Sequence, residues 1–145
     1  MNALTLLRKD HAEVKEMLKQ AEGADAPKKR QLFESLKREL DVHEQIEEEI
    51  FYPALKDHPK TKELALEGYE EHDVVDHVMG ELSAMSPEDE TWDAKWSVME
   101  ENLKHHINEE EREMFEQAKK VFADQELEDL GDQMQQRKEQ LQVAS

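Results

Sequence analysis

Residues four apart on a helix point to nearly the same side, so a histidine followed four positions later by a glutamate sets an imidazole and a carboxylate next to each other. The chain carries this pair twice in similar surroundings, as His43 with Glu47 and His106 with Glu110, and two more histidines, His11 and His72, in helical stretches of their own. All six fall on stripes meant for apolar side chains. Leu36, Leu40, His43, Glu47, Ile50 and Ala54 keep the three-and-four spacing of a core-facing helix, as do Leu4, Leu7, His11, Val14, Leu18 and Ala21. Ala65, Tyr69, His72, Val75, Met79 and Leu82 repeat it, and so do Trp92, Trp96, Met99, Leu103, His106, Glu110 and Met114. Left unpaired, such buried ionised groups would cost on the order of several kcal/mol each, as much as a domain's whole stability. Metal binding removes that cost. With no Cys in the chain, histidines and carboxylates are its strong ligands. Four imidazoles and two carboxylates exceed what one tetrahedral zinc takes, and Glu47 and Glu110, from different helices, suit bridging of two ions. Mixed imidazole and carboxylate donors favour iron or manganese, with zinc a further substitute.

The His-x-x-x-Glu spacing alone is cheap in a chain so rich in acid. It recurs at His77 and Glu81 and at His105 and Glu109, off the stripes. His77 and His58 are expected to be ordinary solvated side chains, while His105, on the side of Asn102 and Glu109, is a candidate outer partner of the site. Glu48 and Glu111 are expected on a solvated face.

The elements that must position the six residues are helices. Only four Gly and four Pro occur among 145 residues, which favours long helices over a many-stranded sheet. The periodicity predicts helices over about 4–21, 26–56, 60–84 and 86–122, with breaks at Gly23 and Pro59 and a start at Ser86-Pro87-Glu88-Asp89. A fifth, mostly polar helix over 124–143 has a thin stripe of Leu127, Leu130, Met134 and Leu141. The expected fold is all-α: an up-down-up-down four-helix bundle over 1–123 with an additional C-terminal helix, 124–145, packed on its outside. The halves resemble each other. Asp10-His11 with Val14 and Met17 recurs as Glu71-His72 with Val75 and Met79, and His11 to His43 spans 32 residues where His72 to His106 spans 34. Two helical hairpins of similar size can place all four histidines at one level.

Charge narrows the function. A formal net charge of -18, from 37 acidic and 19 basic residues, opposes binding to nucleic acid or an anionic membrane surface. Without a membrane-length apolar run or the basic-then-apolar order of a secretion signal, a cytoplasmic protein is expected, as a monomer or weak homodimer.

The ordered set His11, His43-x-x-x-Glu47, His72, His106-x-x-x-Glu110 on four successive helices resembles the hemerythrin-like family of HHE cation-binding domains, over about residues 4–122. The resemblance implies two iron ions joined by an oxo or hydroxo bridge, His11 and His43 on one, His72 and His106 on the other, and Glu47 and Glu110 bridging. Oxygen-carrying hemerythrins offer two histidines four apart on the third helix, whereas position 76 here is Asp. Some HHE proteins use a Glu directly after the second-helix histidine, so Glu44 is expected to complete the ligand set in preference to Asp76. The implied function is binding or reaction of oxygen, peroxide or nitric oxide, with weak peroxide breakdown or sensing favoured over oxygen transport. An iron reservoir or sensor, and a purely structural helical module, are the alternatives. Tyr69, one turn before His72, is expected to pack in the core, with a place at the border of the pocket as the alternative.

Overall fold

The computed structural model describes residues 1–144. Helix α1 (Ala3–Gln20) begins where the Asn2 side chain accepts the Thr5 N–H at 2.9 Å, and α2 (Ala26–Ile46) where Asp25 accepts that of Lys28 at 2.9 Å, with Pro27 in its first turn. Gly23, at φ 71, makes the left-handed turn between them. The second rod does not end at Ile46. It passes through a π-helical turn, Glu47–Phe51, into α3 (Tyr52–Lys56). After α4 (Lys62–Ser83), the fourth rod repeats the device: α5 (Trp92–Glu109), a π-turn at Glu110–Met114, then α6 (Phe115–Val121). The last helix, α7 (Asp124–Ala144), lies along α1 and α2. The rods alternate up and down, with α1 against α2 and α4 against α5. Among the described residues there is no strand, and no helix is long and apolar enough to cross a membrane.

Two apolar cores fill the bundle. One gathers Leu4, Leu7, Ile46, Phe51, Tyr52, Leu55, Phe115 and Phe122 with Leu127 and Met134 of α7; the other gathers Val14, Leu18, Phe33, Leu36, Leu40, Val75, Leu82, Trp92 and Met99. Between them lies the layer of histidines and glutamates.

Two elements depart from the sequence expectation. The apolar stripe of the second rod does not continue from Glu47 to Ile50 and Ala54, which are only half-buried; it moves one place, to Phe51 and Leu55, both fully buried. A π-turn holds one residue more than an α-turn, here shown by the Tyr52 N–H bonding the Glu47 carbonyl, and advances the stripe by that residue. The fourth rod starts at Trp92, six residues after Ser86. The Asp89 N–H bonds the Ser86 carbonyl at 2.9 Å, and the Asp89 carboxylate accepts the Thr91 N–H at 2.9 Å, so local bonds close successive turns instead of a helix. Trp92, edge-on to Phe33 at 5.5 Å, sets the true first turn.

Candidate metal centre

Donor atoms from four rods converge in the middle layer. His11, His43, Glu47 and Glu110 offer one group of ligand atoms within 4.8 Å of one another, and Glu47, His72, His106 and Glu110 offer a second. Both glutamates belong to both groups. None of the six residues is more than 4% exposed. The Nε2 of His11 lies 2.9 Å from Glu110 Oε1, and that of His72 lies 3.1 Å from Glu47 Oε1, so each glutamate reaches the first-helix histidine of the opposite hairpin. Each also faces the histidine four residues before it, His43 at 3.1 Å and His106 at 3.3 Å.

Behind every imidazole stands another carboxylate. The Nδ1 of His43 meets Asp10 at 2.9 Å, that of His106 meets Glu71 at 2.8 Å, that of His72 meets Glu48 at 2.9 Å and that of His11 meets Glu111 at 2.6 Å. A carboxylate there fixes the ring orientation and leaves Nε2 as the free donor, an arrangement common around metal-bound histidines. The pattern is two-fold: the acid before each first-helix histidine holds the second-helix histidine of its own hairpin, and the acid after each shared glutamate holds a histidine of the other hairpin. Glu48 and Glu111, half-exposed, keep one side on solvent as expected of them, and in addition each backs an imidazole of the site. The π-turns explain this, because they begin at Glu47 and Glu110 and alter the turn that carries Glu48 and Glu111.

The residues fit a cation better than they fit one another. His43 Nε2 and Glu47 Oε2 are buried without a hydrogen-bond partner, a costly state in a layer between two apolar cores. Burial would push His43 and His106 down, but Glu47, with Asp10, and Glu110, with Glu71, override it and hold both imidazoles well above their usual range. Burial would raise Glu110, yet His106 and its other partners hold it well below the usual carboxylate range. Positive charge is what this layer lacks.

Tyr52, fully buried, is a member of the site that the sequence reading missed. Its hydroxyl donates to Glu110 Oε2 and lies 3.3 Å from His72 Nε2 and 3.5 Å from His106 Nε2. Burial, reinforced by Glu110 and Glu47, raises its phenol well above the ordinary value. Its ring presses on Gly68, where a Cβ would stand 2.7 Å from Cζ. The one signal was the sequence Phe51-Tyr52-Pro53 after Glu47, and it is readable only once the extra π-turn residue is known. Tyr69 packs on the core as expected, edge-on to Tyr52 at 5.1 Å, and donates to the Glu48 carbonyl at 3.1 Å.

Glu44 stands outside both groups. It lines a small cavity over the layer together with His11, Val14, Leu40, His43, His72, Val75, Leu103, His106 and Ile107, and its carboxyl bonds Asp76. Burial, then Asp76, push it up to about 10. The room for a molecule's centre is about 10 Å³, enough for one water-sized guest. Asp76 itself is exposed, as are His77 and His105; His105 Nε2 lies 3.7 Å from Glu71 Oε2, outside the layer, and His58 packs on Phe122.

A four-helix bundle whose middle layer holds two groups of two histidines and two shared glutamates, each imidazole backed by a carboxylate, defines a helical cation-binding domain. Residues 2–118 match the model of the hemerythrin HHE cation binding domain. The chain belongs to that family. It is 32% identical to uncharacterized proteins of Mycobacterium tuberculosis (Rv2633c) and Mycobacterium bovis (Mb2666c), over 144 residues that cover 97% of this chain and 88% of theirs. It also superposes with a TM-score of 0.89, at 29% identity and over 99% of this chain and 89% of the other, on the crystal structure of a hemerythrin HHE cation binding domain-containing protein of Mycobacterium kansasii, a Rv2633c homologue.

Proposed function

We propose that this chain holds two iron ions, one at His11 and His43 and one at His72 and His106, joined by Glu47 and Glu110, and that it reacts with oxygen, peroxide or nitric oxide. The observation that carries this reading is the pair of buried two-histidine, two-glutamate groups sharing both glutamates, with His43 Nε2 and Glu47 Oε2 left without a hydrogen-bond partner. Iron would supply the exchange of electrons with the bound molecule. The protein's own residues do the rest. Asp10, Glu48, Glu71 and Glu111 aim the four Nε2 atoms inward; Tyr52 fixes Glu110 Oε2. The apolar wall of Val14, Leu40, Val75, Leu103 and Ile107 leaves room for one small molecule beside the layer. Two ions per chain and so small a cavity favour reaction with a small molecule over storage of iron.

Glu44 is the seventh ligand in this reading. Its burial, against the exposure of Asp76, supports it over Asp76, and taking a cation exchanges its proton and its bond to Asp76 for the metal. An added carboxylate favours ferric over ferrous iron, which suits peroxide breakdown or sensing and opposes reversible oxygen carriage. The test is metal analysis of protein purified in air, its near-ultraviolet absorbance, and its response to peroxide. Two irons per chain and a spectrum that changes as peroxide is consumed are expected. Stoichiometric zinc or manganese in place of iron, or repeated recovery of an oxygen adduct without peroxide consumption, would overturn the proposal. Glu44→Gln should weaken metal retention; unchanged retention removes Glu44 from the ligand set.

A further inference from the structure

The four carboxylates behind the imidazoles are not equivalent. The side chains of Glu111, Glu71 and Glu48 are 25%, 30% and 38% exposed and share their charge with water, but that of Asp10 is only 1% exposed. Its Oδ2 accepts from His43 Nδ1 at 2.9 Å and its Oδ1 from Lys138 Nζ at 2.6 Å. Lys138 belongs to α7, beyond the segment that matches the family model. Asp10, Glu13 and Glu39, from α1 and α2, gather oxygens within 4.8 Å, and Lys138 is the cation that faces all three. A histidine that gives Nε2 to a metal is neutral, and Asp10 then keeps Lys138 as its ionic partner. A buried carboxylate stripped of its cation is expensive, so its position under His43 depends on the lysine.

We propose that Lys138 is a positioning residue of the metal centre: through Asp10 it holds the His43 ring, so that α7 governs metal retention at the His11–His43 group and leaves the His72–His106 group alone. The proposal rests on the two-metal reading above. The relay runs Lys138 Nζ, Asp10, His43 Nδ1, with Nε2 of the same ring facing Glu47 at 3.1 Å. Arg137, the neighbouring cation of α7, instead pairs with Glu49 at 2.7 Å and touches none of the site's carboxylates. It supplies the control for docking of the helix.

The test is titration of the full-length metal-free protein with cobalt(II), following its visible absorption, for wild type, Lys138→Met, Lys138→Arg and Arg137→Gln. Lys138→Met keeps an unbranched stem and removes the charge. It should weaken one of the two cobalt ions about tenfold, the lower end for loss of an outer partner, and leave the other at wild-type affinity, which also shows that the variant is folded. Lys138→Arg should restore the first ion, and Arg137→Gln should bind both as wild type does. Equal weakening of both ions, weakening of neither, or the same loss in Arg137→Gln overturns the relay while the two-metal reading stands. A wild-type chain that binds fewer than two cobalt ions refutes that reading, and the relay with it.

Discussion

Gly68→Ala is the substitution for which the structure gives opposing energies that can be weighed. In the middle of α4 alanine is favoured over glycine by about 1 kcal/mol, so a free position would gain stability. Gly68 is not free. Its Cβ would stand 2.7, 2.8 and 2.9 Å from Cζ, Oη and Cε2 of Tyr52. Relief requires the Tyr52 ring to withdraw, and the ring is enclosed by Tyr69 and His72 while its hydroxyl is tied to Glu110. Overpacking of this kind costs about 1–3 kcal/mol, which outweighs the helix-propensity gain and leaves a net loss of about 1 kcal/mol. Gly80, on the same helix, has nothing within 4 Å of its Cβ position. Gly80→Ala should therefore stabilise the protein by about 1 kcal/mol, or about 3 °C in Tm for a chain of this size. Thermal unfolding of the two metal-free variants gives the comparison, and metal analysis gives the consequence. Gly68→Ala should melt below wild type and lose metal from the His72–His106 group first, because displacement of Tyr52 releases Glu110 Oε2. Equal stabilisation by both substitutions would show that Tyr52 does not press on Gly68 and would refute the reasoning.

Metal-free protein should lose stability as pH rises. His43, His72 and His106 are held above their ordinary value of 6.5, so their contribution is complete below that pH and disappears as pH climbs through their folded values; the contribution of Glu110, held below 4.5, disappears only at lower pH. Metal affinity should run the other way, because ligation needs neutral imidazoles. Denaturant unfolding at about pH 6 and about pH 9, with and without chelator, measures both; a metal-free form more stable at the higher pH would contradict the electrostatics. His106→Ala should remove much of the bound metal and His77→Ala and His105→Ala little, since only His106 is in the layer. Metal analysis decides this, and equal loss from all three would contradict the site. Glu48→Gln and Glu111→Gln, which leave an acceptor but remove the charge behind His72 and His11, should each lower metal affinity about tenfold or more in a competition assay with a chelator. Wild-type affinity in both would make these carboxylates bystanders.

The four-helix arrangement was legible because long stripes with few Gly or Pro leave little else to build, and Leu4, Leu18, Leu36, Val75, Leu82, Met99 and Leu103 lie buried where their stripes put them. The six central residues were legible for a related reason: charge on an apolar stripe has few explanations. What could not be read was anything that depends on the π-turns. A straight-helix phase carried past Glu47 sends Ile50 and Ala54 inward and Tyr52 elsewhere, whereas the chain buries Phe51, Tyr52 and Leu55. The same blindness hid the contacts of Glu48 with His72 and of Glu111 with His11. Ser86-Pro87 misled differently, because Ser and Asp side chains serve turns as readily as helix starts. Lys138 gave no sequence signal, since nothing in a polar helix says which lysine meets a buried aspartate over a hundred residues away.

The two π-turns sit at corresponding places in the two hairpins, each starting on a shared glutamate. One residue is about 100° of helical rotation, so each turn swings everything after it by that angle. Both rods swing alike, and beyond the turns Phe51 and Phe115 still meet edge to face at 6.1 Å. Deleting one extra residue would turn a single rod out of step with its neighbour, yet deleting both would return the pair to a common phase. The two extra residues are therefore coupled in register: each sets the phase that the other must match.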